Sequence, residues 1–304
     1  MDRVKLGIVG LQRGGTLLKK ALVCPHIEVA AVCDLVRERA DKAAAAHGIG
    51  MVHYSLEETL ASDVDAVVLA TPIPDHADHV VQTLRAGKHV LSEVTAATTL
   101  ADCRRIAAAA RASDRKYMME ENYCYIRPLT IVQNMAKLGL FGDIYYAESD
   151  YLMDFRQRPG FPDMRDWRKD TYFGRRGHPY ITHTLGPLAQ LMGERIKTVV
   201  GMGAGREYDF PADNTCVLML QTEGGKLIRL RNSFVCSHPN VYTYYAIQGT
   251  KGCYQGPQSP SDFHKVHLDG LCAPDEWRDL YDFKGFLPAA WKILAAESFP
   301  EPRD

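Results

Sequence analysis

A glycine-rich turn near the amino terminus carries the residue types that bind phosphate groups. The apolar segment KLGIVG leads into a turn that contains Gly10, Gln12, Arg13, Gly14 and Gly15. It nearly matches the G-x-G-x-x-G loop, in which the first glycine makes a tight turn, the last packs helix on strand, and helix N–H groups bind a pyrophosphate. We predict Gly10 as the turn glycine and Gly15 as the packing glycine, with Arg13 beside the cofactor. The Gln12 side chain crowds this approach unless the turn uses Gly14.

An acidic residue, Asp34, ends the second apolar segment, VAAVCD, 24 residues after Gly10. A carboxylate in this place accepts hydrogen bonds from the adenosine ribose hydroxyls of a bound dinucleotide. It also repels the 2′-phosphate of NADP, although Arg37 and Arg39 follow closely and weaken that repulsion. We therefore predict NAD as the cofactor.

A third segment, ATPIPDHADH, places polar residues where a further strand ends. We expect Thr71, Pro72 and His76 at the carboxyl edge of a parallel sheet, where ligands bind in open α/β folds, and we predict that they bind the cofactor. The ionisable residues of this segment are Asp75, His76, Asp78 and His79. Their spacing on one helical turn lacks a third fixed ligand, so we expect a solvated helix start and no metal site.

The segments around these residues predict a Rossmann-type first domain. Short apolar runs such as KLGIVG, VAAVCD, DAVVLAT and HVLSEV alternate with helical segments through the first 120 residues. Runs of this kind form parallel strands covered by helices, so we predict an α/β fold with a doubly wound parallel sheet. We assign residues 1–121 to an NAD-binding domain.

A different pattern begins after Asn122 and predicts a second, α+β domain. One helical segment, PLTIVQNMAKLG, precedes longer alternating segments such as DIYYAESDYL, NTCVLMLQT and KLIRLRNSFV. The turn Glu223-Gly224-Gly225 between the last two indicates an antiparallel hairpin. We expect an open, mainly antiparallel sheet in residues 122–304, with substrate-binding and oligomerisation roles.

Composition and charge exclude some classes of partner. The chain has 304 residues, of which 46% are hydrophobic and 24% charged, and its formal net charge is -1. This balance is typical of globular proteins and gives no electrostatic reason to expect nucleic acid or a membrane as a partner. The amino terminus lacks a long apolar segment, and the eight cysteines form no C-x-x-C pair. We therefore expect a cytoplasmic protein with buried, reduced thiols.

Several motifs resemble those of the Gfo/Idh/MocA oxidoreductase family along nearly the whole chain: ATPIPDH, GKHVLSEV, ENYCYIRP, GLFGDIYYAESDY and IQGTKGCYQ. Common members of that family carry a Glu-Lys-Pro tripeptide and a later Asp-x-x-x-His pair, which hold and deprotonate a sugar or polyol hydroxyl. Here the tripeptide is Glu93-Val94-Thr95, and His183 and Pro187 replace the pair. Because valine cannot titrate, an alcohol dehydrogenation that depends on the lysine is excluded at this site.

The chain is more similar to a branch of that family, the NAD-dependent glycosidases of the α-N-acetylgalactosaminidase type, as in glycoside hydrolase family 109. The motifs are EVTAA, ENYCY, GLFGD, SDYLMDFR and YITHTLGPLAQ. The resemblance implies that Glu93, Val94 and Asn122 line the nicotinamide. It also implies a set of residues that face the sugar, namely Tyr151, Arg168, Tyr180, Thr182 and His183. We predict Tyr125 as a further substrate-binding residue, with a structural lining role as the alternative. Met153 and Thr184 depart from the pattern, where a histidine and a glycine are usual, which leaves the sugar undetermined.

The resemblance implies a glycoside hydrolysis that runs through temporary oxidation. NAD⁺ takes a hydride from C3 of the sugar, His183 accepts the hydroxyl proton, and Tyr151 removes the acidified C2 proton so that the aglycone leaves by elimination. Water then adds and the hydride returns, so the net redox change is zero. Imidazole suits its role because its ordinary pKa is about 6.5. Tyrosine starts near about 10, so Tyr151 would need a cationic neighbour such as Arg156 or Arg168.

The same residues are compatible with two other functions. One is a NAD-dependent sugar or polyol dehydrogenase, or a glycoside 3-oxidising enzyme, that releases a keto-sugar and NADH. The methionine at position 153 favours this alternative because one proton-handling group is missing. The other is an inactive member that binds NAD or sugar as a regulator.

We also expect the protein to form a homodimer or homotetramer. The second domain should leave one face of its sheet uncovered by helices, and alternating aromatic residues, Tyr242, Tyr244 and Tyr245, are expected there. Exposed apolar faces of this kind often pair with another subunit.

Overall fold

The computed structural model describes residues 3–157, 167, 169–174, 176–205, 212–259 and 261–288. Its contacts divide the chain into two compact units, Met1–Glu120 and Glu121–Asp304. The sequence analysis placed the division after residue 121.

The first unit is built on a six-stranded parallel sheet. Its strands are β1 (Val4–Val9), β2 (Ile27–Cys33), β3 (Met51–His53), β4 (Ala66–Leu69), β5 (His89–Glu93) and β6 (Tyr117–Glu120), in the order β3-β2-β1-β4-β5-β6. The strand order reverses between β1 and β4, so the carboxyl ends of these two strands form the switch point where ligands bind in such sheets. The predicted doubly wound parallel sheet is confirmed.

Five helices connect these strands. They are α1 (Leu11–Leu22), α2 (Arg37–His47), α3 (Leu56–Ala61), α4 (His76–Arg85) and α5 (Leu100–Ala112). Ser55 and Thr99 begin α3 and α5 because each side-chain oxygen accepts a hydrogen bond from a backbone N–H three residues later. Gly48 ends α2 in the left-handed conformation, which glycine adopts without strain. The strands are buried in two apolar clusters, so helix and sheet packing holds this unit together.

The second unit contains an eight-stranded sheet in the order β14-β13-β12-β11-β7-β10-β9-β8. Its strands are β7 (Ile144–Leu152), β8 (Ile196–Ala204), β9 (Thr215–Thr222), β10 (Leu227–Ser233), β11 (Val241–Gly249), β12 (Gly252–Gln255), β13 (Lys265–Leu268) and β14 (Arg278–Asp279). Only the β7–β10 pair is parallel within this described sheet, and β9 and β10 form the predicted hairpin across residues 223–225. The mainly antiparallel sheet is therefore confirmed.

Two helices, α6 (Arg127–Lys137) and α7 (Ile181–Met192), pack on one face of this sheet. Their apolar residues share a core with the strands, and Leu129, Met135 and Leu188 are fully buried in it. Short helical turns complete the unit, namely Asn122–Tyr125, Phe155–Gln157, Lys169–Phe173 and Leu280–Phe286. The core fixes the start of α7 against β7 and β10, and this positions the residues described below.

The predicted row of aromatic residues on the uncovered face is wrong in part. The β7–β11 register shifts between Val241 and Tyr244, so strict alternation fails there. Tyr245 is only 1% exposed and donates from its hydroxyl to the carbonyl of His183 on the helix side, whereas Tyr244 is 3% exposed and donates to Glu148. Consecutive strand residues point to opposite faces, so Tyr244 and Tyr245 cannot lie on one face, and the hydroxyl of each is bonded inside the second unit.

All eight cysteines are free thiols. Cys33, Cys124 and Cys216 are buried, as expected, whereas Cys103 is exposed. Burial raises the pKa of the Cys33 thiol to about 11 and that of Cys124 to about 12, so both remain protonated at neutral pH. Among the residues that the structure describes, no helix combines the length and the apolar character that a membrane crossing requires.

Candidate functional site

Gly10 makes the turn between β1 and α1. Its φ is 88° and its ψ is 86°, and a Cβ atom there would lie 2.6 Å from the carbonyl oxygen of Ala70 at the end of the neighbouring strand. Only glycine satisfies both the left-handed backbone and this close approach. The structure therefore gives Gly10 the turn geometry that the sequence predicted.

The glycine that packs α1 on the sheet is Gly14, not Gly15. A Cβ on Gly14 would lie 3.1 Å from Cγ2 of Ile8, whereas one on Gly15 would meet nothing within 4 Å. The reason is the helix phase: α1 begins at Leu11, and the N–H of Gly14 donates to the carbonyl of Gly10 across 3.0 Å. This first turn points Gly14 at β1, so the prediction for Gly15 is corrected.

The amino-terminal end of α1 suits a pyrophosphate. Its first turn contains no acidic residue, and Gly10 supplies no side chain to cap it. First-turn N–H groups have no partner within a helix, and the helix dipole makes this end positive. The Gln12 side chain is exposed and does not fill the turn. These features fit the phosphates of a dinucleotide held at this end of the helix.

Asp34 connects the end of β2 to the glycine turn. Its side chain is 6% exposed, and its two carboxylate oxygens accept from the N–H groups of Leu11 at 2.8 Å and Val36 at 2.9 Å. One guanidinium nitrogen of Arg39 lies 2.9 and 3.0 Å from the same two oxygens. The Arg39 side chain is 42% exposed, so solvent can compete for its contact with Asp34. The ribose contact of Asp34 stays a prediction.

His76 holds two loops together and does not face a ligand. It is fully buried, with Nδ1 2.8 Å from the carbonyl oxygen of Thr95 and Nε2 2.9 Å from that of Thr71. Because both ring nitrogens are occupied, the predicted contact between this side chain and the cofactor is corrected to a positioning role. The Thr71 hydroxyl lies 3.0 Å from Nδ1 of His79, and half-buried Pro72 precedes the turn that begins α4. Within the described ranges, no group of three His, Cys, Asp or Glu side chains has the arrangement of a metal site.

Glu93 and Arg13 come together beside the glycine turn. Nε of Arg13 lies 2.5 Å from Oε1 of Glu93, whose side chain is 8% exposed. The next residue, Val94, is 8% exposed, and the Val94–Thr95 peptide bond is cis. Two predicted cofactor residues from separate loops therefore form one ion pair. Val94 offers only an apolar surface at the position of the lysine in the Glu-Lys-Pro tripeptide described above.

Five rings form a cluster in the second unit, the tyrosine–histidine cluster of Tyr123, Tyr151, Tyr180, Tyr242 and His183. The His183 ring centroid lies 4.4 Å from that of Tyr123, 5.1 Å from that of Tyr180 and 5.2 Å from that of Tyr151. Tyr242 lies 5.4 Å from Tyr151. The structure thus brings together three predicted residues, namely Tyr151 from β7 and Tyr180 and His183 from the start of α7. Sequence reasoning missed Tyr242 as a member.

His183 is held from two sides at the start of α7. Its Nδ1 lies 2.8 Å from Oε1 of Glu121, and both side chains are buried. Its backbone carbonyl accepts from the Tyr245 hydroxyl at 2.6 Å. Among the described residues, Nε2 has no hydrogen-bond partner, so this nitrogen is the one that can serve a ligand. Glu121 was not predicted as a site residue, although it begins the ENYCY motif.

Tyr151 has a neutral side chain, contrary to the expected activation. It is 6% exposed, and burial together with the neighbouring tyrosines raises its pKa. Burial also raises the pKa of its hydrogen-bonded neighbour Tyr123 to about 12. The guanidinium of Arg156 instead pairs with Asp154 at 2.8 Å. Tyr151 is therefore a hydrogen-bond donor at neutral pH, and its predicted role as a base is corrected.

The other predicted sugar-binding residues are less well defined. Tyr125 is 44% exposed at the end of the turn that half-buried Asn122 begins. Thr182 lies in the first turn of α7, and its buried hydroxyl has no hydrogen-bond partner among the described residues. Met153 is 4% exposed, so it contributes packing and no proton chemistry. Arg168 lies outside the described residues.

The doubly wound sheet and the glycine turn define a Rossmann-type dinucleotide-binding protein, and comparison with known proteins identifies its family. Residues 4–121 match the domain described as oxidoreductase family, NAD-binding Rossmann fold, and residues 130–255 match the GFO/IDH/MocA C-terminal domain. The chain belongs to the Gfo/Idh/MocA oxidoreductase family. It is an NAD-dependent enzyme of that family.

Curated proteins that are similar to this chain are named glycosyl hydrolase family 109 proteins. A glycosyl hydrolase family 109 protein from Solibacter usitatus (strain Ellin6076) is 28% identical over 316 residues, which cover 92% of this chain and 72% of that protein. One from Shewanella pealeana (strain ATCC 700345 / ANG-SQ1) is 29% identical, with coverage of 93% and 70%.

Solved structures share the fold at lower identity. Levoglucosan dehydrogenase, in complex with NADH and levoglucosan, superposes with a TM-score of 0.77 at 19% identity and covers 91% of this chain and 79% of its own. Apo scyllo-inositol dehydrogenase from Lactobacillus casei has a TM-score of 0.72 at 18% identity, with coverage of 94% and 87%. At these identities the likeness establishes the fold alone.

Proposed function

We propose that this protein is an NAD-dependent glycosidase that cleaves a sugar–aglycone bond through temporary oxidation of the sugar. One observation carries the proposal: His183 stands in a cluster of tyrosine rings, with Nδ1 held by buried Glu121 and Nε2 left for a ligand. The names of the curated relatives, glycosyl hydrolase family 109 proteins, support hydrolysis of a glycosidic bond.

The residues of the first unit hold the cofactor in this proposal. The α1 terminus would bind the pyrophosphate, Asp34 would bind the adenosine ribose, and the Arg13–Glu93 pair would hold the nicotinamide end. When bound, NAD⁺ supplies a hydride acceptor that later returns the hydride, so that no net oxidation occurs.

The tyrosine–histidine cluster binds the sugar. Aromatic rings offer an apolar face to the C–H groups of a pyranose, and tyrosine hydroxyls donate to its oxygens. Tyr180 and Tyr242 are half-buried, so part of each ring is accessible. A small, neutral, hydroxyl-rich ligand fits such a lining better than a charged one.

His183 begins the chemistry by accepting the proton of the C3 hydroxyl at Nε2 while C3 loses its hydride and becomes a ketone. Tyr151, a neutral phenol, donates to the new ketone oxygen and stabilises the negative charge that develops as the C2 proton leaves to water. The electron pair of the C2–H bond expels the aglycone from C1. Water then adds at C1 and a proton returns to C2, and C3 is reduced again, so the products are the free sugar and the protonated aglycone.

The test is a panel of aryl glycosides with the purified protein and NAD⁺, in which aglycone release and NADH absorbance are recorded together. We expect aglycone without accumulated NADH, and a deuterium label at C2 of the sugar formed in heavy water. His183→Gln should lose aglycone release but keep NADH binding, while His238→Gln, at an exposed loop histidine, should match the wild type. Failure to bind NADH would refute the proposal.

One observation favours a second candidate, a sugar dehydrogenase that stops at the ketone. The raised pKa of Tyr151 removes it as a base for the C2 proton, so elimination relies on water. In this case the panel would release no aglycone, and one NADH would accumulate for each sugar oxidised.

We also propose that the enzyme is a homo-oligomer, through the apolar part of the uncovered sheet face. Val200 and Met202 on β8 are 60% and 78% exposed, and their strand partners Met219 and Val217 on β9 are each 36% exposed. Contiguous exposed apolar side chains of this kind are typical of subunit contacts. This patch replaces the tyrosines that the sequence had suggested.

We propose a cytoplasmic location as well. The support is chemical: eight free cysteines, one of them exposed, are typical of a reducing compartment. Fractionation of the source cells tests this, since recovery in an oxidising compartment would contradict it.

A further inference from the structure

We infer that Glu121 is the positioning residue that fixes the tautomer and the direction of His183, and that Gly186 makes room for it. This inference rests on the proposed role of His183 as the proton acceptor. It assigns a function to a buried carboxylate that bonds to the imidazole and to a backbone N–H.

The hydrogen bonds of Glu121 define which ring nitrogen carries the proton. Oε1 lies 2.8 Å from Nδ1 of His183 and accepts from the backbone N–H of Tyr123 at 3.2 Å. Because Oε1 already accepts from that N–H, it is an acceptor towards the imidazole as well, so Nδ1 donates. In a neutral imidazole the lone pair then lies on Nε2, which is the nitrogen that the reaction needs.

Burial and packing make this arrangement rigid. The side chains of His183 and Glu121 are 8% and 6% exposed, so water does not compete for the bond. The Tyr123 ring lies 4.4 Å from the imidazole, and the Tyr245 hydroxyl holds the His183 carbonyl. The ring can therefore neither flip nor swing without breaking buried contacts.

Gly186 is the residue of α7 that allows Glu121 this close. A Cβ there would lie 2.8 Å from Cγ of Glu121 and 3.3 Å from Sγ of Cys124. Glycine is a poor residue for a helix interior, so its presence in the middle of Ile181–Met192 calls for a reason. The reason is the approach of the turn that carries Glu121.

The first test reads the tautomer directly and needs no substrate. Nitrogen NMR of the full chain, labelled in histidine and assigned with His183→Gln, should give the Nδ1–H form for the wild type. Glu121→Ala should shift His183 to the Nε2–H form, which isolated histidine favours, and Gly186→Ala should give a mixture. An unchanged Nδ1–H signal in folded Glu121→Ala would overturn the inference.

The second test measures rate against binding. Glu121→Ala should lower kcat by about 100-fold or more, the usual contribution of a positioned acid–base group, while KM stays within about threefold. Glu121→Gln should recover part of the rate because its amide oxygen still accepts from Nδ1–H. Glu194→Gln, which removes a carboxylate bound to Thr222 outside the site, should retain the wild-type kcat. A wild-type kcat for Glu121→Ala would overturn the inference.

The two tests separate the inference from the proposed function. If the wild type cleaves no glycoside, the proposed function fails, but the tautomer measurement still decides the role of Glu121. If glycosides are cleaved and the tautomer does not depend on Glu121, only the inference fails.

Discussion

Alanine at each of two adjacent glycines should have opposite effects on stability. Gly14 and Gly15 both lie in the first half of α1, and neither has a positive φ. A Cβ on Gly14 would lie 3.1 Å from Cγ2 of Ile8 and 3.4 Å from Cβ of Ala70, whereas one on Gly15 would meet nothing within 4 Å. The two substitutions add the same methyl group to the same helix and differ only in what that group contacts.

The magnitudes follow from two terms. Replacing glycine by alanine in a helix interior stabilises the fold by about 1 kcal/mol, and this applies to both positions. Overpacking costs about 1–3 kcal/mol, and it applies only at Gly14, where β1 must yield by a few tenths of an ångström. We expect Gly15→Ala to stabilise by about 1 kcal/mol and Gly14→Ala to lie about 1–3 kcal/mol below it.

Thermal unfolding of the full chain without NADH measures this difference. Gly15→Ala should raise the Tm of the transition that belongs to the first unit by about 4 °C, since about 1 kcal/mol corresponds to a few degrees in units of this size. Gly14→Ala should leave it unchanged or lower it. If Gly15→Ala lowered Tm as much as Gly14→Ala, the helix phase described here would be wrong and Gly15 would be the packing glycine.

Three further outcomes are expected. Asp34→Ala should weaken NADH binding at least about tenfold and raise the ratio of NADPH affinity to NADH affinity, because the carboxylate repels the 2′-phosphate. Fluorescence titration measures both affinities, and an unchanged ratio would contradict this prediction. Burial lowers the pKa of His264 to about 4 in the folded protein, whereas its pKa in the unfolded chain is about 6.5. The neutral imidazole therefore contributes its full stabilisation at pH values above about 6.5. That stability is lost as pH falls from 6.5 towards 4, by at most about 1.4 kcal/mol per unit, and His264→Gln should show a weaker fall of Tm; an identical fall would count against it. Met202→Lys should shift sedimentation towards the monomer, while Lys197→Gln on the same strand should not; a wild-type profile that is already monomeric would exclude the interface.

The parallel sheet and the alternation of its strands with helices were predictable because they depend on local patterns. Short apolar runs separated by helical segments can bury both faces only as parallel strands, and α3 and α5 begin at Ser55 and Thr99, whose side chains cap them. The choice between Gly14 and Gly15 was not predictable because it depends on whether the helix begins directly after Gly10. A shift of one residue changes which side chain faces the strand.

Only some members of the cluster were predictable, namely Tyr151, Tyr180 and His183, and its electrostatics were not. The Glu121–His183 bond joins residues that are 62 positions apart, and no local pattern announces it. The predicted base role of Tyr151 required a lowered pKa, whereas burial among tyrosines raises that pKa and the guanidinium of Arg156 pairs with Asp154. Burial is a property of the folded second unit, so sequence spacing alone could not give its sign.

These electrostatics restrict the reaction that the cluster can catalyse. A buried tyrosine with a raised pKa keeps its proton and does not act as a base. In the proposed reaction His183 is therefore the residue of the cluster that takes a proton, and Glu121 limits this to Nε2. A single base is sufficient to oxidise a hydroxyl, whereas elimination also requires the C2 proton to leave. Stabilisation of the intermediate by the Tyr151 hydroxyl can supply that second step only if water reaches C2. Deuterium at C2 without aglycone release would therefore place the limit at departure of the leaving group, and the absence of both would place it at C2, with the ketone as the product.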